Sequence, residues 1–223
     1  MAPQTTASNK AHKILIVDDH PVVRYGLSQV IAKQPDLVVC GEASSVGEAL
    51  EQVESTAPDL AIVDISLEEE NGLRLIEQIR GQYPAIKMLV SSVHNEAVYA
   101  PRALQAGAVG YIEKGQPMET IIDAIREILK GGIYLSPKMS QSMLHRAALG
   151  KPLHEDPVAL LSNRELEVLD MIGQGLTINQ IARQLQLSPK TIESHRTNIK
   201  DKLHLKNSVQ LSRFAFDWVR DHR

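Results

Sequence analysis

The chain has 223 residues, 43% hydrophobic and 23% charged, with a net charge of −3 and one cysteine, Cys40. That length suits one large or two small domains; a single cysteine excludes an intramolecular disulfide, and no run approaches the roughly 18 apolar residues of a membrane-spanning helix. The charge is uneven: residues 1–137 hold 11 Lys+Arg against 18 Asp+Glu, residues 138–223 hold 13 against 9, so any contact with nucleic acid is expected in the second half.

The first thirteen residues, MAPQTTASNKAHK, are polar without an apolar core, so no signal peptide is expected and the chain is placed in the cytoplasm. Short apolar, β-branched runs follow at 13–17, 37–41, 60–63, 87–91 and 109–112. Between them lie stretches of helical spacing at 22–33, 46–55, 72–82, 97–106 and 118–130. Five strands alternating with five helices predict an α/β domain, a doubly wound parallel sheet covered on both faces. The runs are apolar throughout, as strands buried on both faces require. Cys40 lies in one of them and is expected to be a buried, inert thiol. Pro35, Pro58 and Pro84 stand just before strands, and Gly131-Gly132 ends the fifth helix. A linker with room for a short helix at 140–148 comes next, and from 159 onward the periodicity is helical only.

In an open parallel sheet, chemistry gathers at the carboxyl ends of the strands, where strand order reverses. The first strand runs into Asp18-Asp19 and the third ends at Asp64. If those strands are neighbours, their ends lie about 5 Å apart. Three carboxylates so close raise one another's pKa unless a cation is present, and a hard divalent ion such as Mg²⁺ (or Mn²⁺) takes oxygen ligands of this kind. Ser92 ends the fourth strand and Lys114 follows the fifth, a hydroxyl and an ammonium at the same edge suited to phosphoryl oxygens. His20 and His94 lie near this edge without a metal-ligand partner at helical or hairpin spacing, and both read as ordinary loop residues. The run Glu68-Glu69-Glu70 reads as a solvated loop that makes the entrance more negative.

Ile14-Leu15-Ile16-Val17-Asp18-Asp19-His20-Pro21, Val63-Asp64-Ile65-Ser66-Leu67 with Gly72, and Gly110-Tyr111-Ile112-Glu113-Lys114 resemble the signatures of bacterial response-regulator receiver domains. The resemblance implies that Asp64 is the phosphoacceptor, charged by a histidine kinase. It implies Mg²⁺ held directly by Asp19, Asp64 and the backbone carbonyl of Ser66, with Asp18 acting through water. Ser92 and Lys114 would contact the phosphoryl group, and Tyr111 would turn inward as Ser92 is drawn toward it. Two positions depart from the family pattern: Glu68 and Gly115 stand where many receivers have proline. A non-proline residue at 115 puts a cis peptide there in doubt.

Three caps divide the tail. Ser162-Asn163-Arg164-Glu165 and Thr177-Ile178-Asn179-Gln180 are capping boxes, and Ser188 precedes Pro189 at a helix start. Gln186-Leu187-Ser188 alone separates the last two helices so defined, the short turn of a DNA-binding helix-turn-helix at about 177–203. On the last of them Ile192, His195, Ile199 and Leu203 share the inward face, and Lys190, Glu193, Ser194 and Thr197 the outward one. Glu193, Ser194 and Thr197 suit base edges; Arg183, Arg196, Lys200, Lys202 and Lys206 add positive charge for phosphates. These motifs resemble the all-α four-helix LuxR/GerE-type domain, and the whole chain resembles a NarL/FixJ-type response regulator: receiver 12–136, linker 137–157, reader 158–223. The resemblance implies double-stranded DNA as partner, a homodimer on it, no membrane, and no enzymatic role beyond the receiver's own phosphoryl chemistry. It also places a dimer contact on the last helix, at Val209 and Phe214, although these and Trp218 suit a core equally.

Overall fold

A computed structural model describes residues 11–67, 72–148 and 157–222. The chain packs as two compact units, Met1–Ser140 and Gln141–Arg223. In the first, strands β1 (His12–Val17), β2 (Leu37–Ala43), β3 (Leu60–Val63), β4 (Lys87–Ser92) and β5 (Gly110–Glu113) form one parallel sheet in the order β2-β1-β3-β4-β5. Strand order reverses beside β1, so the first and third strands are neighbours and their carboxyl ends adjoin.

Helices α1 (Pro21–Ile31), α2 (Val46–Thr56), α3 (Gly72–Gln82), α4 (Glu96–Ala106) and α5 (Met118–Leu129) connect the strands. Alternation along the strands splits the core. Ile14, Ile16, Leu60, Ile62 and Leu89 cluster with Leu27 and Ile31 of α1 and Ile121, Ile125 and Ile128 of α5. Leu15, Val17, Ala61 and Val63 are equally buried, as are Ala49 and Val53 of α2 and Leu75, Ile76 and Ile79 of α3. Each buried Val, Leu or Ile side chain contributes about 1.5–3 kcal/mol, and together they fix the register that the site depends on.

One edge strand departs from the expectation of burial on both faces. β2 is half-covered, with Val38 exposed and Cys40 half-buried, its Sγ 3.4 Å from Thr56 Oγ1. The β5 edge is instead covered by the chain itself. Tyr134 N donates to Val109 O (3.1 Å) and Tyr111 N to Tyr134 O (2.9 Å), a short parallel strap. Helix α6 (Pro137–Ala148) follows, starting three residues before the expected linker helix.

In the second unit a 3₁₀ turn (Pro157–Leu160) precedes α7 (Asn163–Gly173), α8 (Ile178–Gln184), α9 (Pro189–Lys202) and α10 (Ser208–His222). Both capping boxes form, and Ser188 accepts from Thr191 N. Leu166, Leu169, Ile181, Ile192, Ile199, Leu211 and Ala215 are fully buried between the helices. Gly173 lets α7 meet α10 closely: a Cβ there would overlap Ala215 O and Val219 Cγ2.

Candidate functional site

Val17 pairs with Val63 in the sheet, and Asp64 N donates to Val17 O (2.8 Å), so Asp18 and Asp64 leave adjacent strand ends side by side. Both carboxylates are buried, 2% exposed. Ser92 pairs with Glu113, and Lys114 N donates to Ser92 O (2.8 Å), which swings the lysine side chain over the same edge. Its Nζ lies 2.7 Å from Asp18 Oδ2 and 2.6 Å from Asp64 Oδ2. Asp64 Oδ1 accepts from Ser66 N (3.0 Å), and Asp18 Oδ1 from His20 N (2.9 Å).

Burial pushes the Asp64 carboxyl above its ordinary pKa, and the charge of Asp18 adds to this; Lys114 and the Ser66 amide offset part of it. Burial pulls Lys114 down, but Asp64 and Asp18 outweigh it and hold the ammonium above its ordinary range. The lysine therefore stays charged, clamped between the two acids it partly neutralises.

Asp19 completes the cluster. Its side chain is 10% exposed, and Oδ1 is enclosed without accepting a hydrogen bond, although His20 Nδ1 stands 2.6 Å away. One ligand atom from each of Asp18, Asp19, His20 and Asp64 lies within 4.8 Å of the others. An enclosed carboxylate oxygen beside two further carboxylates fits a hard divalent cation: such ions take oxygen donors at about 2.0–2.6 Å. These residues fit Mg²⁺ by that chemistry.

The histidines are not the ordinary loop residues that spacing suggests. His20 contacts Asp18 and Asp19 through Nδ1, at 3.4 and 2.6 Å. His94 Nε2 is 2.7 Å from Ser66 Oγ, joining the loops after β3 and β4, and its ring stacks on Tyr99 with centroids 4.5 Å apart. His94 N donates to Ser92 Oγ (3.2 Å), and Tyr111 Oη donates to His94 O (2.9 Å). Ser92 is fully buried and Tyr111 is 1% exposed, already turned inward, with burial pushing its phenol far up. The only sequence signal for His94 was its place two residues past Ser92.

Gly72 has a steric reason. A Cβ there would overlap Asp64 O and come within 2.7 Å of Ile65 Cα, both backbone atoms of the loop that carries Asp64. Gly72→Ala is expected to destabilise the first unit by about 1–3 kcal/mol and lower its melting temperature, with unchanged melting counting against this packing. The Glu68-Glu69-Glu70 loop, and with it the departure at Glu68, lies outside the described residues. No described peptide bond is cis, that before Gly115 included.

In the second unit the outward face of α9 carries Lys190, Glu193, Ser194 and Thr197, all exposed, with Ile192 and Ile199 buried opposite and His195 and Leu203 half-buried. Ser194 Oγ donates to Lys190 O (3.1 Å). Arg196 is less available than its charge suggests: its side chain is 14% exposed and Nη1 lies 3.2 Å from Glu193 Oε1. Lys200 is half-buried. Lys202 is engaged structurally, Nζ 2.7 Å from Glu165 Oε2, which ties α9 to the capping box of α7. Arg164, unmarked in the sequence, donates Nη2 to Leu185 O (2.8 Å) and so holds the turn before α9.

The same contacts set an acid response. Burial alone would raise Glu165, but Lys202 and Ser162 outweigh it and hold the carboxyl below its ordinary range; burial lowers His195 below the usual histidine value. A depressed Glu165 stabilises above the ordinary carboxylate pKa and loses that contribution as pH falls through its folded value. A depressed His195 costs stability as pH falls below the ordinary histidine range. The urea midpoint of this unit, read from its single tryptophan Trp218, is expected to fall in two steps on acidification. Glu165→Gln should remove the lower step; an unaltered profile would count against the assignment.

Residues 14–126 match the response regulator receiver domain family, and residues 159–215 the luxR family of bacterial regulatory proteins. The chain is 37% identical over 208 residues to the oxygen regulatory protein NreC of Staphylococcus carnosus, covering 91% of this chain and 96% of that protein. A crystal structure of a two-component response regulator, LuxR family, from Aurantimonas sp. SI85-9A1 is 32% identical with a TM-score of 0.58, covering 62% of this chain and 99% of that one. RcsB from Salmonella enterica serovar Typhimurium, bound to promoter rprA in the presence of phosphomimetic BeF3-, shares the fold at 22% identity and TM-score 0.59, covering 92% of this chain and 98% of that one.

Proposed function

The chain belongs to the NarL/FixJ-type bacterial response regulators, a receiver joined to a LuxR-type helix-turn-helix, and on that premise we propose that Asp64 is its phosphoacceptor and α9 its DNA-reading helix. It is a two-component, DNA-binding regulator of transcription. The observation that carries the site assignment is the lysine clamp: one ammonium within 2.7 Å of two buried carboxylates, with the Asp19 carboxylate beside them.

In the proposed reaction an Asp64 carboxylate oxygen attacks the phosphorus of a phosphohistidine on a partner kinase. The new O–P bond forms as the N–P bond breaks, and the imidazole nitrogen leaves. Lys114 releases Asp64 Oδ2 and follows the incoming phosphoryl oxygens, keeping its contact with Asp18. The Ser92 hydroxyl turns to another of those oxygens, with Tyr111 and His94 packed behind it. Asp19, Asp64 and the Ser66 carbonyl, with Asp18 through water, would hold Mg²⁺, which when bound offsets the charge gathered on the transferring group. Turnover is confined to the receiver's own phosphoryl group, so the chain is not an enzyme on an external substrate.

The domain limits that go with this reading are 12–136 for the receiver, 137–157 for the linker and 158–223 for the reader. Glu193, Ser194 and Thr197 face the bases, with Lys190, Arg196 and Lys200 beside the phosphates of double-stranded DNA. Val209 is 78% exposed on α10 and Phe214 half-buried, and we assign them to a homodimer contact on DNA. No described helix is long and apolar enough to cross a membrane, and we place the chain in the cytoplasm.

Incubation with acetyl phosphate and Mg²⁺ tests the assignment. The wild-type chain is expected to take up one acid-labile phosphate, lost in Asp64→Asn. Equal labelling of the variant would move the acceptor elsewhere. No labelling of either would make the receiver a domain that acts without phosphorylation.

A further inference from the structure

Glu96 is the first residue of α4, and its side chain is buried. No ion pair among the described residues neutralises it. Its Oε1 accepts from Ser136 N (2.8 Å), forty residues along the chain, and its own amide donates to Glu113 Oε1 (2.8 Å). A buried carboxylate without a cation is costly and persists where oriented N–H groups and a helix N-terminus hold it.

Ser136 is the start of the next element. Its Oγ accepts from Met139 N (3.1 Å) and its carbonyl from Ser140 N (2.9 Å), so it caps α6, and Met139 is buried. The preceding strap holds Tyr134 to the β5 edge, and Glu96 holds Ser136. Helix α6 runs across the division between the two units at Ser140 and Gln141.

At its other end, the loop that delivers Glu96 is fastened to the candidate phosphorylation site. His94 N bonds Ser92 Oγ, His94 Nε2 bonds Ser66 Oγ, and His94 O accepts from Tyr111 Oη. Five consecutive residues, 92–96, therefore connect the Ser92 hydroxyl at the end of β4 to the carboxylate that pins the start of α6.

We propose that Glu96 is a coupling residue, a latch on the Ser136 amide that opens when Asp64 is phosphorylated. The inference rests on the reading of Asp64 as phosphoacceptor. When Ser92 Oγ turns to a phosphoryl oxygen, His94 N loses its acceptor and the 92–96 loop shifts. The Glu96 carboxylate moves off Ser136, and the amide turns to water. The first turn of α6 is freed.

Amide exchange on the full chain with Mg²⁺, with and without beryllofluoride as phosphoryl mimic, tests this. In wild type, beryllofluoride is expected to alter exchange at 92–96 and to speed the Ser136 and Met139 amides about tenfold or more. Glu96→Ala should show the fast exchange at 136–139 without the mimic and gain nothing from it. Glu96→Gln keeps an acceptor oxygen but not the charge, and should fall between. A change at 92–96 with no change at 136–139 would overturn the latch and leave the phosphoacceptor standing. No change at either place in wild type would sink both. If Glu96→Ala does not fold, the wild-type comparison and Glu96→Gln decide.

Discussion

Lys114→Met is expected to cost the first unit about 3–5 kcal/mol when divalent cation is chelated, because it removes a cation that bridges two buried carboxylates. Asp18 and Asp64 are both 2% exposed, and each has an oxygen within 2.7 Å of Lys114 Nζ. Methionine fills similar volume but leaves two like charges facing each other without a counter-ion. For a unit of this size the loss lowers the melting temperature by roughly 10 °C or more. Mg²⁺ has the opposite leverage. In wild type the ion adds to a site whose negative charge the ammonium already partly offsets; in Lys114→Met that offset is gone, and the ion stabilises by mass action on a site that is otherwise repulsive. Thermal melts of both proteins in chelator and in millimolar Mg²⁺ give four values. The expected pattern is a large gap in chelator that narrows with Mg²⁺. Parallel shifts in both proteins would mean that the acids do not share a cation site.

The convergence behind this prediction was legible in the sequence for a physical reason. Parallel strands all deliver their carboxyl ends to one edge, so Asp18, Asp64, Ser92 and Lys114 needed only the right strand order to meet. Contacts that depend on loop backbone were not legible. His20 and His94 occupy loops with no periodicity, and their approach to Asp19 and Ser66 follows from turns that no spacing rule encodes. Residues 133–136 lack a strand pattern because a strap of two hydrogen bonds asks little of its side chains. Glu96 carried no signal in the sequence, because its partner is the amide of Ser136 in the chain returning forty residues later. In the reader, the caps announced the helices, whereas Gln186 sits at φ 52° in the turn before α9, a conformation usually marked by glycine or asparagine. Charge alone placed Arg196 with the phosphate contacts; its carbon chain in fact lies against the unit and its head beside Glu193.

Lys190→Ala and Thr197→Ala are expected to weaken binding to a selected operator in different ways. Both side chains are exposed on α9 opposite buried Ile192 and Ile199, so neither substitution removes core packing. Thr197 offers a hydroxyl and a methyl to a base edge, and its loss is expected to cost about 1–3 kcal/mol, roughly 5- to 150-fold in affinity, with discrimination relaxed at one base pair. Lys190 stands at the second position of α9, beside Pro189, and on the proposed docking its ammonium serves backbone phosphate rather than a base. Its loss is expected to lower affinity across sequences and to flatten the dependence of log K on log salt by about one unit. Fluorescence anisotropy on the phosphorylated full chain, with operator and scrambled duplexes over a salt series, separates the two effects. Labelling of Asp64 should be untouched in both variants, since these residues lie in the second unit. Arg196→Ala supplies the contrast: with its head beside Glu193, its loss should change affinity less than that of Lys190. Operator affinity unchanged in both Lys190→Ala and Thr197→Ala would put the DNA on another face of the helix.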